Sequence, residues 1–60
     1  MLIETKTVDD VRAIINLDNV TMMYEVADEK MRLWFISKEY TMINESYESL
    51  IEKIKSGQNK

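Results

Sequence analysis

The sequence has 60 residues, 45% of them hydrophobic, with eight basic and eleven acidic side chains that give a formal net charge of −3. A chain of this length forms one domain, which buries only about 60% of the surface that its unfolded state exposes. Neither Cys nor His occurs, which excludes disulfides, thiolate metal sites and the commonest general base. We therefore expect no metal and no cofactor, and we expect stabilisation by homo-oligomerisation instead. The mild acidity argues against binding to duplex nucleic acid.

Targeting signals are not evident in the sequence. No apolar run approaches the about 20 residues of a membrane-spanning helix. The first residues alternate with charged ones, unlike those of a signal peptide. We expect a cytoplasmic protein of bacterial or phage origin, with one domain over residues 1–56 and a polar tail over residues 57–60.

The first half of the chain has the alternation and β-branched content of strands. It predicts a strand over Leu2–Thr7, a turn over residues 8–10 and a second strand over Val11–Leu17. The side chains of residues 18–19 favour a further turn. A third strand is predicted over Val20–Val26.

A hairpin follows, in which the segment Ala27–Lys30 leads to a fourth strand, Met31–Ser37. Loops of two and of four residues give the same register, and the lack of Gly or Asn at the tip favours four. The predicted cross-strand pairs are Val26 with Met31, Tyr24 with Leu33 and Met22 with Phe35 on one face, and Glu25 with Arg32, Met23 with Trp34 and Thr21 with Ile36 on the other.

The last two elements are a strand and a helix. A fifth strand is predicted over Tyr40–Asn44, and its register places either Ile43 or, with a bulge, Met42 on the Trp34 side. Apolar residues at helical spacing predict an amphipathic helix over Tyr47–Ser56. Ser46 is its expected N-cap, and Gly57 is its expected left-handed residue after the end; Leu50, Ile51 and Ile54 are expected to dock on the sheet. The fold class is therefore α+β, a small antiparallel meander of four or five strands with the helix packed on one face.

Six residues form a predicted patch on the side of the sheet that the helix leaves open. They are Met23, Glu25, Arg32, Trp34, Ile36 and Ile43. An apolar patch with a central Trp and a rim of charges suits a protein interface, which would bind another copy or a different protein. The alternative interpretation is that the sheet curls, so that these residues form the interior of a small barrel-like core.

Catalysis is not expected. The adjacent acids of residues 9–10 and 28–29 lie in predicted turns, and Glu48 suits a helix N-terminus, so no pocket is predicted to shift their pKa values. We expect a non-enzymatic interaction or regulatory module with no small-molecule substrate. The alternative function is single-stranded nucleic-acid binding, because Arg32 and Trp34 lie two apart on a strand and suit base stacking.

Three segments resemble the small flagellar proteins of the FlbD/SwrD type and phage or mobile-element proteins of similar layout. They are Ile15–Val20, Arg32–Ile36 and Ile43–Ile54, the last with Glu and Ser ahead of an amphipathic helix. The resemblance covers residues 14–55. It implies a non-enzymatic regulatory or accessory protein.

Overall fold

A computed structural model describes residues 1–57. It confirms the α+β fold class, with five strands and one C-terminal helix. The elements are β1 (Leu2–Lys6), β2 (Arg12–Asn16), β3 (Val20–Ala27), β4 (Lys30–Phe35), β5 (Tyr40–Ile43) and α1 (Tyr47–Lys55). Of the predicted polar tail, residues 58–60 lie outside the described residues.

The strands are divided between two antiparallel sheets, β1–β2 and β3–β4–β5. The sheets meet where the end of β1 lies beside β5. There Thr7 and Ile43 form an isolated bridge, and the Asn44 N–H donates to the Lys6 carbonyl at 2.8 Å. The two sheets thus enclose one core between them.

The connections in the first half of the chain follow the predicted turns. Asp10 takes a positive φ of 66°, which closes the β1–β2 hairpin. At residues 17–19 the structure has a short 3-10 helix, which the Asn16 side chain caps by accepting the Asp18 N–H at 3.0 Å. Asx capping of this type explains why Asn precedes the turn.

The core contains one or more residues from β1, β2, β4, β5 and α1. Its buried apolar members are Ile3, Ile15, Met31, Leu33, Ile43 and Leu50. The helix begins after its predicted N-cap, since the Ser46 hydroxyl accepts the Ser49 N–H at 3.0 Å. At the other end, Gly57 has the predicted positive φ, 64°. Leu50 and Ile54 pack on the core as predicted.

The predicted register of β3 against β4 is wrong. The tip is the two-residue loop Asp28–Glu29, with Ala27 paired to Lys30, because Glu29 takes the left-handed conformation (φ 56°) that we expected only of Gly or Asn. An irregularity between Glu25 and Ala27 then shifts the pairing by one residue. The resulting pairs are Glu25 with Met31, Tyr24 with Arg32, Met23 with Leu33 and Met22 with Trp34. A shift of one residue exchanges the two faces of a strand, so Tyr24 and Met23 lie on the sides opposite to those predicted.

Of the two predicted placements of β5, the structure has the one with Met42 on the Trp34 side, although the residues that pair with β4 differ from those predicted. β4 ends at Phe35 rather than Ser37, and the Phe35 N–H donates to the Glu39 carbonyl at 2.8 Å across the turn. Trp34 therefore pairs with Tyr40, and Met31 pairs with Ile43. Ile43 is buried in the core, while Met42 lies on the Trp34 side.

Candidate interaction surface

The side of the three-stranded sheet that faces away from the core carries a cluster of aromatic, arginine and methionine side chains. We call it the aromatic–arginine face; it consists of Met22, Tyr24, Arg32, Trp34, Tyr40 and Met42. Residues paired across antiparallel strands share a face, and the observed pairs join these six. Met31 and Leu33, which alternate with Arg32 and Trp34 along β4, are buried in the core. The curled-sheet alternative therefore does not describe this chain, since the core lies on the other side of β4.

Arg32 lies between two tyrosine rings. Its Cζ is 4.9 Å from the centroid of Tyr40 and 5.8 Å from that of Tyr24, both within cation–π range. The Trp34 and Tyr40 centroids are 4.8 Å apart with ring planes inclined by 54°, which is a favourable tilted geometry. The four side chains therefore form one continuous contact group across three strands.

The Tyr24 hydroxyl connects this group by hydrogen bonds. Trp34 Nε1 donates to it at 3.0 Å, and Arg32 Nη1 donates to it at 3.1 Å. The hydrogen bond from Trp34, followed by that from Arg32, lowers the pKa of the Tyr24 phenol below its ordinary value. One oxygen thus orients both the indole and the guanidinium.

Arg32 has no carboxylate partner among residues 1–57. Its one hydrogen bond within this part of the chain goes to the neutral Tyr24 phenol, and the predicted ion pair with Glu25 does not form. The Arg32 Nε is buried and has no acceptor. An unpaired buried donor of this kind costs about 1–3 kcal/mol. The Arg32 guanidinium is consequently stabilised by cation–π contacts with two tyrosine rings, and no acidic side chain in this range neutralises its charge.

The six residues of the predicted patch do not all come together. Arg32 and Trp34 lie side by side on β4, as predicted. Met23 packs partly buried against the core, Glu25 pairs with Met31 on the core side of the sheet, and Ile43 is fully buried. Ile36 is 63% exposed but lies in the β4–β5 turn, beyond the end of the strand.

Three residues of the observed face were missed by the sequence reasoning: Met22, Tyr24 and Tyr40. Aromatic and sulfur-containing side chains occur in protein cores as well as on surfaces. Residue type alone therefore does not predict that these three lie on the side of the sheet away from the core. A usable signal was the run Met22–Met23, because two adjacent apolar residues allow either face of β3 to be buried.

A second polar cluster lies on the opposite side of the molecule, where α1 meets β1. Glu45 is 8% exposed and accepts hydrogen bonds from Thr5 Oγ1 and Ser49 Oγ, both at 2.6 Å, and from Lys53 Nζ. Burial acts most strongly on Glu45 and favours a higher pKa, but the bonds from Lys53, Ser49 and Thr5 together outweigh it, so the pKa is lowered. Lys53 Nζ also donates to the Glu4 carbonyl at 2.6 Å. Both Glu45 oxygens accept hydrogen bonds from donors of β1 and α1. Glu45 therefore links the helix to the first sheet.

Acidic clusters and long apolar helices were sought in the part of the chain that the structure describes. Within residues 1–57, no three acidic side chains come together as a metal site. None of the helices in the same range is long and apolar enough to cross a bilayer. No protein-family model matches the chain, and no curated protein or solved structure is significantly similar to it.

Proposed function

We propose that this chain is a non-enzymatic protein-interaction module that binds through the aromatic–arginine face. The observation that carries the proposal is the group Tyr24–Arg32–Trp34–Tyr40, joined by hydrogen bonds and ring contacts on the side of the sheet away from the core. Trp, Tyr and Arg are the residues that dominate the binding energy of protein interfaces. The flanking residues Met22 and Met42 add adaptable apolar area.

The order of this group before binding supports the same proposal. The Tyr24 hydroxyl already fixes the Trp34 ring and the Arg32 guanidinium. Side chains that are ordered in advance lose less conformational entropy when a partner docks. Tyr40 is 53% exposed, so about half of its surface is available to a partner.

A peptide selection tests the proposal. Random peptides displayed on phage would be selected against the immobilised protein, and the enriched peptides would be measured by titration. We expect Trp34→Ala and Tyr40→Ala each to abolish or strongly weaken binding, while Ile14→Thr, a change at an exposed residue of the other sheet, leaves it unchanged. Peptides that bind equally well to wild type and to both aromatic variants would refute the proposal.

We also propose that the chain self-associates, through exposed apolar residues outside the aromatic–arginine face. The chain has 60 residues and exposes large apolar side chains on the first hairpin as well, including Ile14 at 67% and Val11 at 58%. Burying such residues against a second copy would add the stabilisation that a small core lacks. Light scattering over a range of concentrations measures the mass directly, and a monomer at every concentration would refute this part of the proposal.

A regulatory role in the cytoplasm of a bacterium or a phage-infected cell completes the proposal. It is supported by the resemblance of residues 14–55 to FlbD/SwrD-type proteins.

Single-stranded nucleic-acid binding is the second candidate function, and one observation favours it. Arg32 lacks the Glu25 partner that would have neutralised it, and it lies beside two rings that could stack bases. The only Trp of the chain is part of this face, so its fluorescence reports binding. Quenching by a single-stranded oligonucleotide that weakens with salt supports this candidate, and unchanged fluorescence at low salt excludes it.

A further inference from the structure

Two cations lie on the outward side of β4 and have only neutral acceptors. Lys30 Nζ donates to the Asn44 amide oxygen at 3.0 Å, and Arg32 donates to the Tyr24 phenol at 3.1 Å. The ion pairs described in residues 1–57 join the Met1 amino group to Asp18, Lys6 to Asp10 and Lys53 to Glu45. The aromatic–arginine face and its Lys30 end therefore carry positive charge on a chain whose net charge is −3.

The guanidinium of Arg32 is positioned for an anion that the chain does not supply. Its Cζ lies 5.8 Å from the Tyr24 centroid and 4.9 Å from the Tyr40 centroid, its Nη1 donates to the Tyr24 phenol, and no carboxylate among residues 1–57 forms an ion pair with it. A carboxylate is the natural acceptor for a guanidinium and binds it through two parallel hydrogen bonds. Apolar side chains lie on both flanks, with Met22 54% exposed and Tyr40 53% exposed.

We propose that the aromatic–arginine face binds an extended segment of a partner protein that presents two carboxylates, followed by apolar side chains, at alternate positions and therefore on one face. This inference rests on the proposed function and specifies the chemistry of its partner. Arg32 and Lys30 receive the carboxylates, and Trp34, Tyr40 and the flanking methionines hold the apolar side chains. The spacing of Lys30 and Arg32, two residues apart on one strand, matches carboxylates at alternate positions of an extended peptide.

Charge disfavours two other occupants of this face. A second copy docked by two-fold symmetry would bring the cations of one aromatic–arginine face toward those of the other, so any self-association uses other residues. A nucleic acid could be neutralised by only two cations, while the remainder of the acidic chain repels its phosphates. A short acidic segment needs only the charges that the face provides.

Titration of Trp34 fluorescence tests the inference with defined probes. The first probe is a short synthetic peptide in which Asp and Glu at alternate positions are followed by Leu and Phe at alternate positions, with Thr at the intervening ones, so that the acids and the apolar side chains share one face when the peptide is extended. The second is the same peptide with Asn and Gln replacing the acids, and the third is a single-stranded oligonucleotide. We expect the acidic peptide to bind at least about tenfold more tightly than the amide peptide, because hydrogen bonds to charged groups are the stronger ones.

Protein variants complete the test. Arg32→Gln is expected to weaken acidic-peptide binding at least about tenfold, whereas Arg12→Gln, at an exposed position of β2, leaves it unchanged. Melting curves establish that each variant is folded, and Lys30→Gln provides a second variant, expected to weaken binding by a smaller factor. The comparison of the two peptides requires no variant at all.

Each other outcome overturns the inference. Equal affinities for the acidic and amide peptides would remove the charge recognition and leave the proposed function intact, provided that Tyr40→Ala, which keeps the Trp34 fluorescence, still weakens both. Binding of the oligonucleotide without binding of the acidic peptide would assign the face to nucleic acid. Failure of the phage selection to yield any peptide dependent on Trp34 and Tyr40 would remove the proposed function together with the inference.

Discussion

Replacing Glu45 by Gln removes the charge at the point where α1 is fastened to β1. The carboxylate accepts hydrogen bonds from Thr5, Ser49 and Lys53. Gln keeps one acceptor oxygen, but its amide nitrogen faces groups that are themselves donors. Hydrogen bonds to charged groups contribute about 1.5–3 kcal/mol. Because the Lys53 side chain is 24% exposed and partly screened, we expect a loss of about 2 kcal/mol in the free energy of unfolding.

Thermal unfolding followed by circular dichroism measures this loss. For a chain of this size, about 2 kcal/mol corresponds to a fall in Tm of about 8–16 °C. The matched control is Glu52→Gln, which also removes one negative charge, at an exposed position of α1, and should change stability by less than about 0.5 kcal/mol. A fall no larger than that of the control would refute the role assigned to Glu45.

The effect of Glu45→Gln depends on pH in a defined direction. The pKa of Glu45 in the folded state lies below its ordinary value of 4.5, because the bonds from Lys53, Ser49 and Thr5 outweigh the opposing and individually larger effect of burial. The unfolded state therefore binds the proton first as pH falls, and the stabilisation by Glu45 is complete above about pH 4.5 and declines below it. The Tm difference between wild type and Glu45→Gln should shrink as pH falls from 4.5 toward 3. A difference that stays constant over that range would contradict the argument.

Three further substitutions test the packing, the helix cap and the hairpin tip. Leu33→Ala, at a fully buried core position, should lower the free energy of unfolding in urea by about 2–5 kcal/mol, while Leu2→Ala, at a position 47% exposed, should lower it far less. Ser46→Ala removes the acceptor of the Ser49 N–H and should cost about 1 kcal/mol, read from the urea midpoint. Glu29→Gly relieves the left-handed strain of a residue with φ 56° and should raise the Tm, since the strain of about 1–2 kcal/mol exceeds the entropic penalty of Gly; a lower Tm would contradict the assigned tip geometry.

The helix and the core face of β4 could be predicted from the sequence because their signals are local. Ser46 lies one residue before the apolar periodicity begins, and Gly57 follows its end, so both boundaries are marked by side chains that act within one turn. Along β4, the alternation of Met31 and Leu33 with Arg32 and Trp34 separates the two faces. These assignments need no knowledge of any other strand.

The pairing of β3 with β4 could not be predicted in the same way. Register depends on how many residues the tip and its bulge contain, and Glu29 adopts a left-handed φ without being Gly or Asn. The hydrophobic pattern does not correct the error, because Met22 and Met23 are adjacent and either can be buried. Only the cross-strand hydrogen bonds decide which of them faces the core, and they join residues about ten positions apart in the chain.

The one-residue shift in the pairing of β3 with β4 changes which residues lie on the surface and also changes the charge that the surface presents. In the predicted register Arg32 faces Glu25, and the pair would be neutral, which leaves an apolar surface suited to a second identical copy. In the observed register Arg32 faces Tyr24, whose phenol orients the guanidinium without neutralising it. A cation whose only contacts are neutral groups retains its attraction for an external anion, and this supports the proposed recognition of an acidic partner by charge. The extra residue in β3 thus places Arg32 opposite Tyr24 instead of Glu25. This difference favours an acidic partner over a second copy of the chain at this surface.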